Sequence, residues 1–350
     1  MIAVLLAAAL AAAAPANSTA ALADSAGRDT TATASTADSI AVRTDSTAVR
    51  PDSIAALVLA PAGGFTVSGP GGATEPVGLA LDGFDRPFVT DLALRRLLRF
   101  DRDGKWLGET GSLGDDAGRL RRPGAVVPAG ALQIAVLDEE NRTVLGYDLF
   151  GRFQQVLVDL DKAAPSAGGR VVPVALASDK SGALYVGDAN QDRVLVFDLD
   201  GSLARVLTGY APGSGTIRGV AGLAVGRRGD IAVSERGSRR IVRLDPTGAP
   251  VTSWTLPGLP GKVAEPRLPL AVDDSLRIAV AEPAAGRVSL YDRGGRLLAQ
   301  RDGLAGPAAL CFARDGSLWV AERRAGRLSR FVVGAPGAPV PVKGRGGAAR

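Results

Sequence analysis

From residue 64 onward, short apolar runs alternate with polar turns at a spacing of roughly ten residues. One copy of this pattern contains the runs VALAS at 174–178, ALYVGD at 183–188, RVLVFD at 193–198 and LARVLTG at 203–209. Valine and aromatic residues in period-two stretches, separated by Gly and Asp turns, are typical of strands rather than helices. Each copy is therefore predicted to form four short β-strands.

An acidic residue and an arginine recur at nearly constant positions in every copy. An apolar stretch ends in Val-x-Asp or Val-x-Glu at Asp91, Asp138, Asp188, Glu235, Glu282 and Glu322. Four or five positions later the chain has Arg96, Arg142, Arg193, Arg240, Arg287 and Arg327. Five copies then continue into an Asp-x-x-Gly turn, starting at Asp101, Asp148, Asp198, Asp245 and Asp292. Six units of four strands and about 47 residues predict an all-β, six-bladed β-propeller over residues 61–336.

The sixth copy lacks the Asp-x-x-Gly turn that leads into an outer strand. An incomplete last blade would leave unpaired sheet edges in the ring. The segment GFTVSG at 64–69 precedes the first copy and has the pattern of an outer strand. We therefore expect this N-terminal strand to join the last blade beside RLSRFVV at 327–333 and to close the ring.

These units resemble the NHL-repeat family of six-bladed propellers. The resemblance rests on segments such as EPVGLAL, FVTDLALRRLLRFDRDG and LYVGDANQDRVLVFDLDG and extends over about 270 residues. The chain departs from the family pattern in three ways: Glu replaces Asp in the last three copies, the Asp138–Arg142 interval is one residue shorter, and Leu244 replaces an aromatic residue. The resemblance implies the same propeller fold.

An acid–arginine pair that recurs in every blade is best explained by a structural requirement of every blade. The acid ends the second strand and the arginine begins the third, so the two side chains can bridge their connecting loop or reach a neighbouring blade. We therefore expect a structural role for the pairs Asp91–Arg96, Asp188–Arg193, Glu235–Arg240, Glu282–Arg287 and Glu322–Arg327.

The chain on either side of the predicted propeller has a different composition. Residues 2–14 form an apolar run that is too short to span a bilayer core of about 30 Å, and Ala14-Pro15-Ala16 follows the small-x-small rule for cleavage. We expect a signal peptide at 1–16, export to the periplasm or medium, and no transmembrane segment. Residues 17–60, rich in Thr, Ser, Asp and Ala with seven-residue repeats, are predicted to be a disordered linker, and 337–350 a disordered Pro/Gly/Arg tail.

Composition excludes several kinds of catalytic chemistry. The chain has no histidine and a single cysteine, Cys311. Imidazole bases, His-ligated zinc and intramolecular disulfides are therefore impossible. The predicted innermost strands, for example GLAL at 78–81 and GLAV at 222–225, carry small apolar residues and no convergent carboxylates. No catalytic residue is predicted, and a non-enzymatic role is favoured while the question of an enzyme stays open.

Charge points to one face of the predicted ring as a binding surface. Lys and Arg number 41 against 36 Asp and Glu, which gives a net charge of +5. The loops between second and third strands carry arginines in some blades and acids in others. The basic residues of these loops are Arg95, Arg236, Arg239, Arg323 and Arg324. We expect this basic loop face to engage a cell-envelope protein or an acidic glycan. Nucleic acid is not expected, because the same loops lack aromatic stacking platforms.

The leading hypothesis is thus an exported, monomeric, non-catalytic binding or scaffold module without a cofactor. The alternative is a calcium-dependent, lactonase-like hydrolase, because gluconolactonase-like and paraoxonase-like propellers of similar fold hold calcium through Glu, Asn and Asp. Calcium prefers six to eight oxygen ligands. Oxygen ligands gather in the second and third blades at Asp138, Glu139, Asn141, Asp188 and Asn190.

Overall fold

A computed structural model of the chain describes residues 57–111, 118–208, 217–258 and 267–335. The predicted signal peptide at 1–16, the tail at 337–350 and all but the last four residues of the 17–60 linker lie outside the described residues. The described part consists of 24 strands and one short helix, α1 (Leu160–Ala163). No helix within these ranges is both long and apolar enough to cross a membrane.

The strands form six antiparallel sheets of four, one for each blade, in agreement with the predicted fold. From the innermost strand outward, the first three blades are β2 (Pro76–Leu81), β3 (Pro87–Asp91), β4 (Arg96–Phe100), β5 (Trp106–Thr110); β6 (Pro123–Pro128), β7 (Gln133–Asp138), β8 (Thr143–Asp148), β9 (Phe153–Asp159); and β10 (Pro173–Ser178), β11 (Leu184–Asp188), β12 (Arg193–Phe197), β13 (Leu203–Thr208). The last three are β14 (Val220–Val225), β15 (Ile231–Glu235), β16 (Arg240–Leu244), β17 (Pro250–Thr255); β18 (Leu270–Val272), β19 (Ile278–Glu282), β20 (Arg287–Tyr291), β21 (Leu297–Arg301); and β22 (Pro307–Phe312), β23 (Leu318–Glu322), β24 (Arg327–Gly334) with β1 (Val58–Thr66).

The middle strands of each blade are buried on both faces, which explains their unbroken apolar runs. All residues of β11 and of β12 are buried. Side chains from neighbouring blades form the core between them: Leu137 and Val144 of the second blade belong to one cluster with Leu176 and Val186 of the third. Because each sheet packs between two others, the two middle strands of a blade show little of the alternation of apolar and polar residues that half-exposed sheets have.

An N-terminal strand closes the ring as expected, but it spans 58–66 and includes only the first three residues of the expected segment 64–69. β1 pairs antiparallel with β24, from Val58 opposite Gly334 to Thr66 opposite Arg327, and so supplies the fourth strand of the last blade. The strand begins at Val58, three residues before the expected domain boundary at 61, because Leu59 is buried against the sixth-blade core. A register shift follows Pro61, whose ring nitrogen cannot donate to the ladder.

The repeated Asp-x-x-Gly turns are held by their aspartates. In the turn of the fourth blade, Asp245 Oδ1 accepts hydrogen bonds from the backbone N–H groups of Thr247 at 2.8 Å and Ala249 at 2.9 Å. Gly248 has φ of +93°, a conformation that side chains disfavour. The motif is therefore a self-contained turn between the third and fourth strands.

Candidate functional site

The buried acid–arginine pairs tie three chain segments together. In the third blade, Arg193 Nε donates to Asp188 Oδ2 at 2.8 Å, and both side chains are buried. The other carboxylate oxygen of Asp188 accepts from the backbone N–H groups of Val172 at 2.9 Å and Asn190 at 3.0 Å. One carboxylate thus connects the incoming segment, the loop after the second strand and the start of the third strand. This geometry is structural in character, because its hydrogen bonds connect chain segments and neither Asp188 nor Arg193 lines either of the two cavities described below.

The other blades vary this theme. The Nε–Oδ2 distance in Asp91–Arg96 is 3.1 Å. The fourth and sixth blades keep the expected pairs. Arg240 Nη2 lies 2.7 Å from Glu235 Oε1, and Arg327 Nε lies 3.4 Å from Glu322 Oε1. The fifth blade departs from the expected pairing: Glu282 forms an ion pair with Arg239 of the preceding blade, and Arg287 binds Asp302 with an Nε–Oδ1 distance of 2.7 Å. A glutamate side chain is long enough to reach the adjacent blade.

Arg142 of the second blade is not equivalent to the other repeat arginines. Its φ is +52°. The turn residues four positions after the acid in the first, third and fourth blades have similar φ values of +51° to +55°; they are Arg95, Asp192 and Arg239. Thr143 therefore opens β8, and Arg142 Nε donates to Asp161 Oδ1 at 2.7 Å. The one-residue-shorter interval in the sequence is the signal of this difference.

The candidate calcium ligands already form hydrogen bonds within the protein. Asp138 accepts from the backbone N–H of Arg121 at 2.7 Å and from the side-chain amide of Asn141 at 2.9 Å. Asp188 is engaged as described above, and Asn190 Nδ2 donates to the carbonyl of Arg170 at 3.1 Å.

Glu139 accepts hydrogen bonds from two guanidinium groups rather than pointing at other oxygens. Within the described ranges, no three acidic or cysteine side chains are placed to hold a metal ion. A calcium site needs converging oxygens without competing cations, so these residues do not fit calcium.

A cavity of about 740 Å³ opens where the inner strands begin, on the face that carries the loops between second and third strands. We call it the mouth cavity. Its lining is Glu75, Val77, Leu92, Arg122, Pro123, Gly124, Glu139, Val174, Arg236, Arg267, Pro269, Pro283, Ala284, Gly306, Ala308, Arg323 and Arg324. Five arginines and two glutamates therefore supply all its charged side chains among the described residues.

The mouth cavity includes three of the five arginines predicted for the basic loop face. Arg236, Arg323 and Arg324 line it and are exposed. Arg95 is exposed elsewhere on that face. Arg239 is half-buried, and besides its ion pair with Glu282 it donates to the carbonyl of Pro257 at 3.2 Å. Arg239 therefore braces two blades instead of facing the cavity.

Arg122 and Arg267 were missed by sequence reasoning, which considered only the loops within blades. Both lie on segments that lead into innermost strands. For Arg122 the available signal was the position before the first proline of such a strand, since Glu75, Arg122 and Gly306 immediately precede Pro76, Pro123 and Pro307 and all three line the cavity. Arg267 does not share this position, because Leu268 separates it from Pro269.

An ion-pair cluster forms the bottom of the mouth cavity. Arg267 Nη2 lies 2.6 Å from Glu139 Oε1, and Arg267 Nη1 donates to the carbonyl of Val174 at 3.3 Å. Arg122 Nε binds the other Glu139 oxygen at 3.2 Å. A Cβ atom on Gly124 would lie 2.4 Å from Glu139 Oε1, so only glycine allows the carboxylate this close to the backbone.

A narrower channel of about 280 Å³ continues below this cluster, between the six innermost strands. Arg267 is the one charged side chain among the described residues that line it. Cys311 also lies there, and burial, with a smaller contribution from the charge of Asp85, raises the pKa of its thiol. The channel therefore offers neither a reactive thiolate nor a set of acid and base groups.

The solved structures of similar fold include a streptogramin B lyase and virginiamycin B lyase. A streptogramin B lyase is 15% identical with a TM-score of 0.53 over 77% of this chain and 97% of that one. Virginiamycin B lyase from Staphylococcus aureus is 12% identical with a TM-score of 0.55, over 77% and 98%. A catalytically inactive histidine-to-alanine form of the latter, solved with quinupristin, gives 13%, 0.53 and the same coverage.

At these identities the likeness establishes the class of the fold, a six-bladed β-propeller, and nothing about activity. The sequence matches no protein-family model and no curated protein.

Proposed function

We propose that this protein is an exported, non-catalytic binding module of NHL-repeat type, which engages an acidic cell-envelope protein or glycan at the mouth cavity. The observation that carries the proposal is the charge of that cavity, five arginines against two glutamates. A cleft lined mainly by one sign of charge concentrates its field and attracts ligands of the opposite sign. One propeller contains the whole cavity, so a monomer is sufficient for binding.

The arginines of the mouth cavity differ in how far they are already neutralised. Arg122 and Arg267 share Glu139, and Arg323 Nη2 lies 2.9 Å from Glu75 Oε2. Arg236 and Arg324 form no ion pair within the part of the chain that the structure describes. A guanidinium presents several N–H donors in a planar fork that matches a carboxylate. Arg236 and Arg324 are therefore the groups best placed to receive an acidic ligand.

The absence of histidine favours binding over the lyase reaction of the structural neighbours. One of those enzymes is described as catalytically inactive when a histidine is replaced by alanine. This chain contains no histidine anywhere. Among the described residues that line the channel, the titratable side chains are the Arg267 guanidinium and the Cys311 thiol, whose pKa is raised, and neither supplies a general base.

A charge-matched comparison tests the proposal. Binding of polygalacturonate and of an acidic peptide is measured calorimetrically for the native protein and for the triple variant R236S, R323S, R324S. The control triple R227S, R228S, R293S removes three exposed arginines from turns at the opposite end of the blades. We expect the cavity triple to weaken binding at least tenfold and the control to change it less than twofold. Equal losses in both triples, or no binding by the native protein, would reject the proposal.

A further inference from the structure

We infer that the mouth cavity takes a single carboxylate carried on an apolar arm of the proposed partner. This inference rests on the proposed function and narrows its ligand. The volume of the cavity, the nature of its wall and the distribution of its charges support this inference.

The volume is that of a small-molecule site. Pockets for compact ligands typically enclose about 300–1,000 Å³, and the mouth cavity encloses about 740 Å³. A polyanion lying across an open loop face would need no such depression. The occupant is therefore a group that enters the ring.

Apart from its charged residues and two glycines, the lining of the mouth cavity is apolar. This apolar wall is formed by Val77, Leu92, Pro123, Val174, Pro269, Pro283, Ala284 and Ala308. Small-molecule sites combine such walls with a few charged groups that orient the ligand. A purely polar anion would leave this surface in contact with water, whereas an apolar body would cover it. The wall therefore favours a ligand with a substantial hydrocarbon part.

The charges are divided between two sides of the cavity. Arg236, Arg267, Arg323 and Arg324 belong to the fourth, fifth and sixth blades, whereas the first two blades supply Glu75, Glu139 and a single arginine, Arg122. A carboxylate near Arg236 and Arg324 gains their N–H donors. A second carboxylate at the far side would meet two glutamates, whose charge Arg122 offsets only in part, and like charges repel. The arrangement thus selects one acidic group with its apolar body directed away from it.

The bottom of the cavity limits the length of that body. The Arg267–Glu139 ion pair lies between the mouth cavity and the channel, and Arg267 lines both. An apolar chain that passed this pair would separate two charges without replacing their contacts. We therefore expect affinity to rise with chain length and then to level off.

Calorimetric titration with a series of straight-chain acids tests the inference. The ligands are acetate, butyrate, hexanoate and octanoate, with octanol as the uncharged control and trigalacturonate as the polar polyanion. Burial of each methylene should tighten the dissociation constant about fourfold. We expect octanoate to bind at least tenfold more tightly than octanol and than acetate.

Two variants connect this binding to the cavity. A308F adds bulk to the wall without altering charge and should weaken octanoate at least tenfold, whereas A93F, at an exposed position outside the cavity, should not. R236S with R324S should abolish the preference for octanoate over octanol. Melting curves confirm that each variant is folded.

The outcomes separate the inference from the proposed function. Arginine-dependent binding of trigalacturonate without binding of octanoate would overturn the inference and leave the proposed function standing. Failure of every acidic ligand would overturn both. Octanoate binding that A308F leaves unchanged would place the ligand elsewhere and also overturn the inference.

Discussion

Arg267 reaches across the mouth of the channel to Glu139, with 2.6 Å between Nη2 and Oε1. The two residues are 128 positions apart in sequence and belong to the fifth and second blades, which lie opposite each other in a ring of six. All other blade-to-blade ion pairs described above join neighbours. This contact therefore connects the two halves of the propeller directly.

We expect this pair to contribute about 1 kcal/mol to the free energy of unfolding, at the upper end of values for accessible ion pairs. The exposed fractions of its side chains are 38% for Arg267 and 10% for Glu139, so solvent screens it only in part. A double-mutant cycle of R267A and E139Q in urea measures the coupling free energy.

The matched control is Arg323–Glu75, whose side chains are 47% and 45% exposed. The same cycle there should give less than about 0.5 kcal/mol. Equal coupling energies for the two pairs would show that the contact across the channel has no special weight.

Loss of a buried repeat arginine should be far more damaging than loss of one whose ion pair is open to solvent. R193A leaves the buried carboxylate of Asp188 without its cation, and removing one partner of a buried pair lowers the free energy of unfolding by about 3–5 kcal/mol. R142A removes an arginine whose partner Asp161 is exposed, and should lower it far less than R193A does. Urea denaturation measures both values; similar losses would contradict the structural role assigned to Arg193.

Because β1 closes the ring, two deletions near the N-terminus should differ strongly in their effect on the melting temperature. Removing residues 57–66 exposes the edge of β24 and deletes the buried Leu59, so the melting temperature should drop steeply. Removing residues 17–56 should leave it nearly unchanged.

The milder variant L59A should lower the free energy of unfolding by about 2–5 kcal/mol. If both truncations melted at the same temperature, the closing strand would not be needed for stability.

Acid should weaken the protein partly through its turn aspartates. The hydroxyl of Thr247 first, and then the backbone N–H of Ala249, hold the pKa of Asp245 below its ordinary value. Because the folded pKa is lower than the unfolded pKa of about 3.9, this carboxylate stabilises the fold above that pH. The contribution is lost as pH falls through the folded pKa.

T247V removes the largest cause of the shift. The variant should be less stable than the native protein at pH 7, and its urea midpoint should fall less steeply between about pH 4 and pH 2. Parallel midpoint curves for the two proteins would contradict the assigned role of the Thr247 hydroxyl.

The sequence alone determined the blade count, most strand positions and the closing strand. These features depend on short-range patterns, namely the acid that ends a second strand, the Asp-x-x-Gly turn and its absence after Phe331. Each pattern reports the conformation of the few residues that contain it. Even the departure at Arg142 was visible as a one-residue change in spacing, although its consequence, a pairing with Asp161, was not.

Only the tertiary structure decided which charged side chains share a site. Arg236 and Arg239 lie on one loop, yet the first lines the mouth cavity and the second turns to Glu282 of the next blade. Glu139, a candidate calcium ligand by its sequence neighbours, instead meets Arg267 from the opposite blade. Repetition in the sequence assigns equivalent positions to every blade. The closed ring decides which of those positions face one another across its axis. That closure depends on all six blades together, so no single repeat predicts it.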